Sequence, residues 1–89
     1  SADMSSALAL ISTLRDLPVR EDLIAFGEIG LSGECRAVTG IDIRIHESRR
    51  LGFKRIAIPY RALNKLKANT DGVEIIPIRS VFDLLKLLG

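Results

Sequence analysis

Apolar residues recur at Met4, Ala7, Leu8, Ile11 and Leu14, a spacing that gathers them on one stripe of a helix. Asp3 stands where a capping carboxylate accepts the first free amides, and Pro18 forbids the helix much past Asp16. The pattern then changes. Residues 23–26 form a short apolar run that reads as a buried strand, and residues 34–38, which alternate less cleanly, are expected as its hairpin partner. Between them, Gly27, Gly30 and Gly33 place glycine at every third position, which suits an irregular hairpin tip. Ile41, Ile45, Ser48 and Leu51 predict a second helix, stopped by Gly52.

Residues 54–59 are the third expected strand. Ile56, Ala57 and Ile58 are apolar in succession, as in a parallel strand covered on both faces, and Pro59 closes it. Residues 61–67 predict a short helix with Leu63 and Leu66 inward, and Asn69-Thr70-Asp71-Gly72 a turn. Residues 73–78 are the fourth strand, whose end Pro77 places at an edge or at the exit from the sheet. Ser80 with Asp83 has the spacing of a capping box, and Val81, Leu84, Leu85 and Leu88 give the last helix its buried face. The fold class is therefore α/β (α+β): a helix, a β-hairpin, then alternating helices and mostly parallel strands with right-handed crossovers.

With 89 residues, 47% of them hydrophobic and 27% charged, the chain is at most one small globular domain. It has no tryptophan, so Ile, Leu, Val and Ala must build the core. Apolar content this high in a short chain implies that some Leu and Ile side chains are covered by partners or by further sequence. No apolar run nears the roughly 20 residues of a membrane span, and no signal-peptide pattern is present. The start, directly in a helical pattern, reads as a piece of something longer. The single cysteine, Cys35, excludes an internal disulfide, suits a reducing cytoplasm and is expected to pack inside the hairpin. His46 has no second histidine at ligand spacing, so no metal site is expected; it is read as a helix-surface residue. Phe53 and Tyr60 are too few for a base-stacking platform. Net charge is only +2, yet Arg44, Arg49, Arg50, Lys54, Arg55, Arg61, Lys65 and Lys67 crowd one middle segment. Such a face attracts phosphate backbones; the alternative is an ordinary solvated surface.

Four segments carry a resemblance: SADMSSALALISTLRD at residues 1–16, GEIGLSGECRAV at 27–38, RRLGFKRIAIP at 49–59, and GVEIIPI at 72–78. Together they resemble the C-terminal Lon-protease-like domain of the RadA (Sms) family of bacterial DNA repair proteins. The resemblance implies a fold like the Lon proteolytic domain and ribosomal protein S5 domain 2, with residues 1–89 its C-terminal part. It also implies a cytoplasmic protein that assembles a homohexameric ring and binds DNA. In Lon proteases a Pro-Ser-Ala-Gly motif holds the nucleophile and a Gly-Gly-Leu-Lys segment the lysine base. Ser1-Ala2-Asp3 falls on the first, with Ser1 at the nucleophile position, and Thr39-Gly40-Ile41-Asp42 on the second, with Asp42 at the lysine position. A serine hydroxyl needs a neighbouring base, so no catalytic residue is expected here. The implied DNA-binding candidates are Arg44, Arg49, Arg50, Lys54 and Arg55, and the oligomer-interface candidates Glu28, Leu31 and Glu34. The Gly-Lys-Ser/Thr phosphate loop and any four-cysteine module are missing from these 89 residues. ATP, magnesium and zinc are thus expected only in other parts of a DNA-dependent ATPase parent. The competing expectations are a Lon-type serine peptidase fragment and a generic α/β interaction module without a DNA role.

Overall fold

The computed structural model describes residues 2–89; the proposed nucleophile position, Ser1, lies outside the described residues. A two-residue strand β1 (Ala2–Asp3) leads into helix α1 (Met4–Arg15). The Asp3 carboxylate caps that helix, accepting from the Ser6 amide at 2.7 Å and the Ser6 hydroxyl at 3.1 Å. Asp16, with φ 54°, ends it in the left-handed region just before Pro18. Met4 and Leu8 are buried as expected, but Leu14 is 76% exposed. The packed part of the stripe stops at half-buried Ile11, because no described residue covers the final turn.

The run at 23–26 does not pair with 34–38. Strand β2 (Leu23–Ala25) belongs to a different sheet from the hairpin, which is formed by β3 (Glu28–Ile29) and β4 (Cys35–Arg36), with β1 antiparallel to β3. An apolar run is stable only when covered on both faces, and the parallel sheet supplies that cover. In it β2 lies parallel to β5 (Arg55–Pro59), and β5 parallel to β6 (Glu74–Ile78), in the order β2-β5-β6. The Phe26 amide still bonds the Ala57 carbonyl at 2.9 Å; Gly27, at φ 152°, then turns the chain out of this sheet into β3. Pro77 sits on the edge strand, as expected, and the Glu74 amide donates to the Lys54 carbonyl at 2.8 Å.

Helix α2 (Ile41–Arg50) crosses from the hairpin to β5, with Ile41, Ile45 and Ser48 buried. The Ser48 hydroxyl is satisfied within the helix, donating to the Arg44 carbonyl at 2.7 Å. Gly52, φ 97°, closes the helix as predicted. The helix expected at 61–67 is a 3₁₀ segment, Tyr60–Lys65, that buries Ala62 and leaves Leu63 and Leu66 half-covered. Helix α3 (Val81–Leu85) is so short that Leu87, beyond its end, is buried beside Leu84, while Leu85 and Leu88 are only half-buried. The capping box is also shifted: the Asp83 carboxylate takes the Arg79 amide at 2.8 Å as its main partner, with the Ser80 amide a weaker one.

The sheet divides two apolar clusters. One joins Met4, Leu8, Leu23, Ala25, Cys35, Ala57, Ile78, Leu84 and Leu87; the other joins Ile41, Ile45, Ile56, Ile58 and Ala62. Strand β5 serves both, Ala57 facing the first and Ile56 and Ile58 the second. Among the described residues no helix is long and apolar enough to cross a membrane.

Candidate functional site

The Met4 amide donates to the Gly27 carbonyl at 2.8 Å, which pins the start of α1 to the end of β2. Beside this junction opens a groove of about 480 Å³, lined by Asp3, Ser5, Ser6, Phe26, Gly27, Glu28, Val38 and Arg44, with Ile24 and Ala25. The Ser6 amide and then the Ser6 hydroxyl hold the Asp3 carboxyl below its ordinary pKa, so it is ionised and a weak base. The Arg44 guanidinium lies 5.8 Å from the centre of the Phe26 ring and donates Nε–H to the Thr39 carbonyl at 3.4 Å. Arginine keeps its proton throughout the physiological range. No lysine and no histidine is among the described residues lining the groove.

Asp42, at the position matched to the lysine base, is not among the groove's lining residues. Its Oδ1 accepts the backbone amides of Lys67 and Ala68, each at 2.9 Å. Those two bonds, the Lys67 amide first, hold its carboxyl below the ordinary 3.8. The side chain is thus a tie between α2 and the segment after the 3₁₀ turn. A folded-state pKa lower than the unfolded one gives stability that is present above the unfolded value and lost as pH falls through the folded value. Asp42→Ala should therefore melt below the parent at pH 7, and the gap should close as pH drops below about 4. Paired thermal melts across pH check this; a gap constant down to pH 2 would contradict it.

The five candidate phosphate-binding residues do not form one patch. Arg44 belongs to the groove, whereas Arg49 and Arg50, over a turn further along α2, border a shallow hollow with His46. Arg49 donates Nε–H to the Asp71 carbonyl at 3.0 Å, tying α2 to the turn before β6. Arg50 pairs with Glu47 at 2.8 Å, and Arg55 with Glu74 at 3.3 Å. Lys54 is exposed beside Arg55 at the amino end of β5. Of the hairpin candidates, Leu31 at the tip is 100% exposed and Glu28 is exposed on β3. Glu34 accepts from Arg36 at 2.8 Å and from the Ser32 amide at 3.1 Å. Its own amide and then Arg36 depress its pKa. Sequence spacing gave no sign of the ties from Asp42 and Arg49, since each spans more than 20 residues.

Residues 1–88 match the model of the Lon protease (S16) C-terminal proteolytic domain. The chain belongs to this family. The DNA repair protein RadA of Aquifex aeolicus is 39% identical to this Lon-family domain over 88 residues, covering 99% of the chain and 19% of the relative. That of Escherichia coli is 40% identical over 87 residues, covering 98% of the chain and 18% of the relative. An archaeal Lon protease from Methanocaldococcus jannaschii is 35% identical over 88 residues, covering 99% and 13%. This Lon-family domain therefore spans a fifth or less of the length of these relatives. The similarity to both groups extends along nearly the whole domain.

Proposed function

We propose that this Lon-family domain works without peptide hydrolysis, as the ring-forming and DNA-contacting part of a RadA-type DNA repair ATPase. The observation that carries the proposal is the Asp42 carboxylate, an acid at the base position that is engaged in holding Lys67 and Ala68. A groove lined by no lysine among the described residues offers a serine no amine to take its proton. The RadA relatives near 40% identity support the DNA repair setting. ATP hydrolysis, with magnesium and zinc, belongs in this proposal to other parts of the parent protein.

The uncovered Leu31 at the hairpin tip, flanked by Glu28 and Glu34, suits contact with a neighbouring copy, and Leu10, Leu14 and Leu17 are further apolar side chains open to a partner. For DNA, Arg49 and Lys54 near the amino ends of β5 and β6 are the stronger set, with Arg44 and the acid-paired Arg50 and Arg55 peripheral to it. They would hold phosphates without reading sequence. Fluorescence anisotropy of a labelled duplex at several salt concentrations tests this. Affinity should fall steeply with salt, and Arg49→Glu with Lys54→Glu should weaken binding about tenfold or more, lowering the salt slope by about one per lost contact. Unchanged anisotropy at low salt would favour the interaction module without a DNA role.

A further inference from the structure

Strands β5 and β6 run parallel and end in register, Pro59 opposite Ile78, so Tyr60 and Arg79 emerge side by side at their carboxyl ends. There they border a hollow of about 250 Å³ with Glu34, Cys35, Arg61 and Ile78. Arg79 is fixed from several directions. Its amide donates to the Asp83 carboxylate at 2.8 Å, its carbonyl accepts from the Cys35 amide at 3.3 Å, and its guanidinium carbon lies 4.1 Å from the centre of the Tyr60 ring. Stacking on an aromatic face occupies the plane of a guanidinium and leaves its N–H edges for a ligand.

Among the described residues neither Arg61 nor Arg79 pairs with a carboxylate. The acid at the rim, Glu34, is already paired with Arg36. The floor, Cys35 and Ile78, is buried and apolar. Burial, and then the charges of Asp83 and Glu34, push the Cys35 thiol pKa up, so it adds no negative charge to the hollow. We infer that this hollow binds a phosphate group between Arg61 and Arg79. One carboxylate satisfies one guanidinium fork, whereas a phosphate carries three acceptor oxygens and enough charge for two. The volume admits a phosphate and a few further atoms, and falls short of the roughly 300 Å³ at which drug-sized sites begin. The phosphate can come from a small phosphoester or from a nucleic-acid strand. None of Arg44, Arg49, Arg50, Lys54 or Arg55 lines the hollow, so the inference does not rest on the proposed DNA surface.

Titration of inorganic phosphate into the isotope-labelled protein, followed by NMR at constant ionic strength against chloride, tests it. The Arg79 and Cys35 amides should shift and saturate at millimolar phosphate or below. Arg61→Ala and Arg79→Ala should each weaken binding about tenfold or more, while Arg15→Ala, on α1, leaves it unchanged. Arg79→Lys, which keeps the charge and loses the fork, should also weaken it. Shifts that never saturate, or that persist in the Arg61→Ala/Arg79→Ala double variant, would overturn the inference. Displacement of phosphate by a short unphosphorylated oligonucleotide assigns the site to a strand backbone; displacement by glycerol phosphate alone assigns it to a small phosphoester.

Discussion

Gly27→Val should lower the melting temperature by about 10 °C or more. A Cβ at residue 27 would lie 2.5 Å from the Met4 sulfur and 2.7 Å from Cγ of the Pro59 ring. Both neighbours are fully buried, and the ring cannot fold away. The backbone adds a second cost, because φ 152° is a conformation that side-chain-bearing residues rarely adopt. Overpacking costs about 1–3 kcal/mol and backbone strain a similar amount. For a domain of this size each kcal/mol corresponds to roughly 4–8 °C. Gly52→Ala separates the two contributions: its φ is 97° but nothing lies within 4 Å of the added methyl, so only the strain is felt. Calorimetry of the two variants should rank Gly27→Val as clearly the more damaging. Equal melting temperatures would mean that α1 and β5 can move apart freely at this junction.

Ile56→Ala should cost about 2–5 kcal/mol, against a total of roughly 5–13 kcal/mol for a chain of this length. Ile56 is 0% exposed in the middle of β5, flanked in register by Ile24 and Ile75 and clustered with Ile41 and Ile45 of α2. Truncation leaves a cavity that neighbours on three elements cannot fill together. The contrasting variant is Ile43→Ala, on α2 but 71% exposed, which should change stability by no more than about 0.5 kcal/mol. Urea unfolding of both measures this. A loss at Ile56 below about 1 kcal/mol would show that α2 is not packed on the sheet as described.

Much of the architecture was legible because its signals are local. The Asp3 cap, the break before Pro18, the closure at Gly52 and the edge position of Pro77 each follow from a residue and its immediate neighbours. Strand pairing was not legible at residues 23–26, since an apolar run announces burial but not which strand lies beside it. The exposure of Leu14 was hidden for the same reason: helical spacing marks a stripe, not how far the cover extends along it. At the candidate site, the acid at position 42 was visible in the sequence and its task was not. A carboxylate accepting backbone amides 25 and 26 residues away leaves no periodic trace. The pairing of Arg50 and Arg55 with acids was likewise beyond a count of charges, which cannot say which of them are already neutralised.

The outer rim of β6 has a consequence for how copies of this chain can meet. Because the Glu74 amide points to Lys54, alternation turns Ile76 and Ile78 toward β5, and Ile75 and Pro77 outward. Pro77 has no hydrogen to give, and the next outward carbonyl, on Arg79, is already taken by Cys35. An arriving strand would find a single donor there and then a gap, too little to template sheet growth. On that side the molecule is guarded against fibre-like stacking, and recognition of a neighbour must run through side chains.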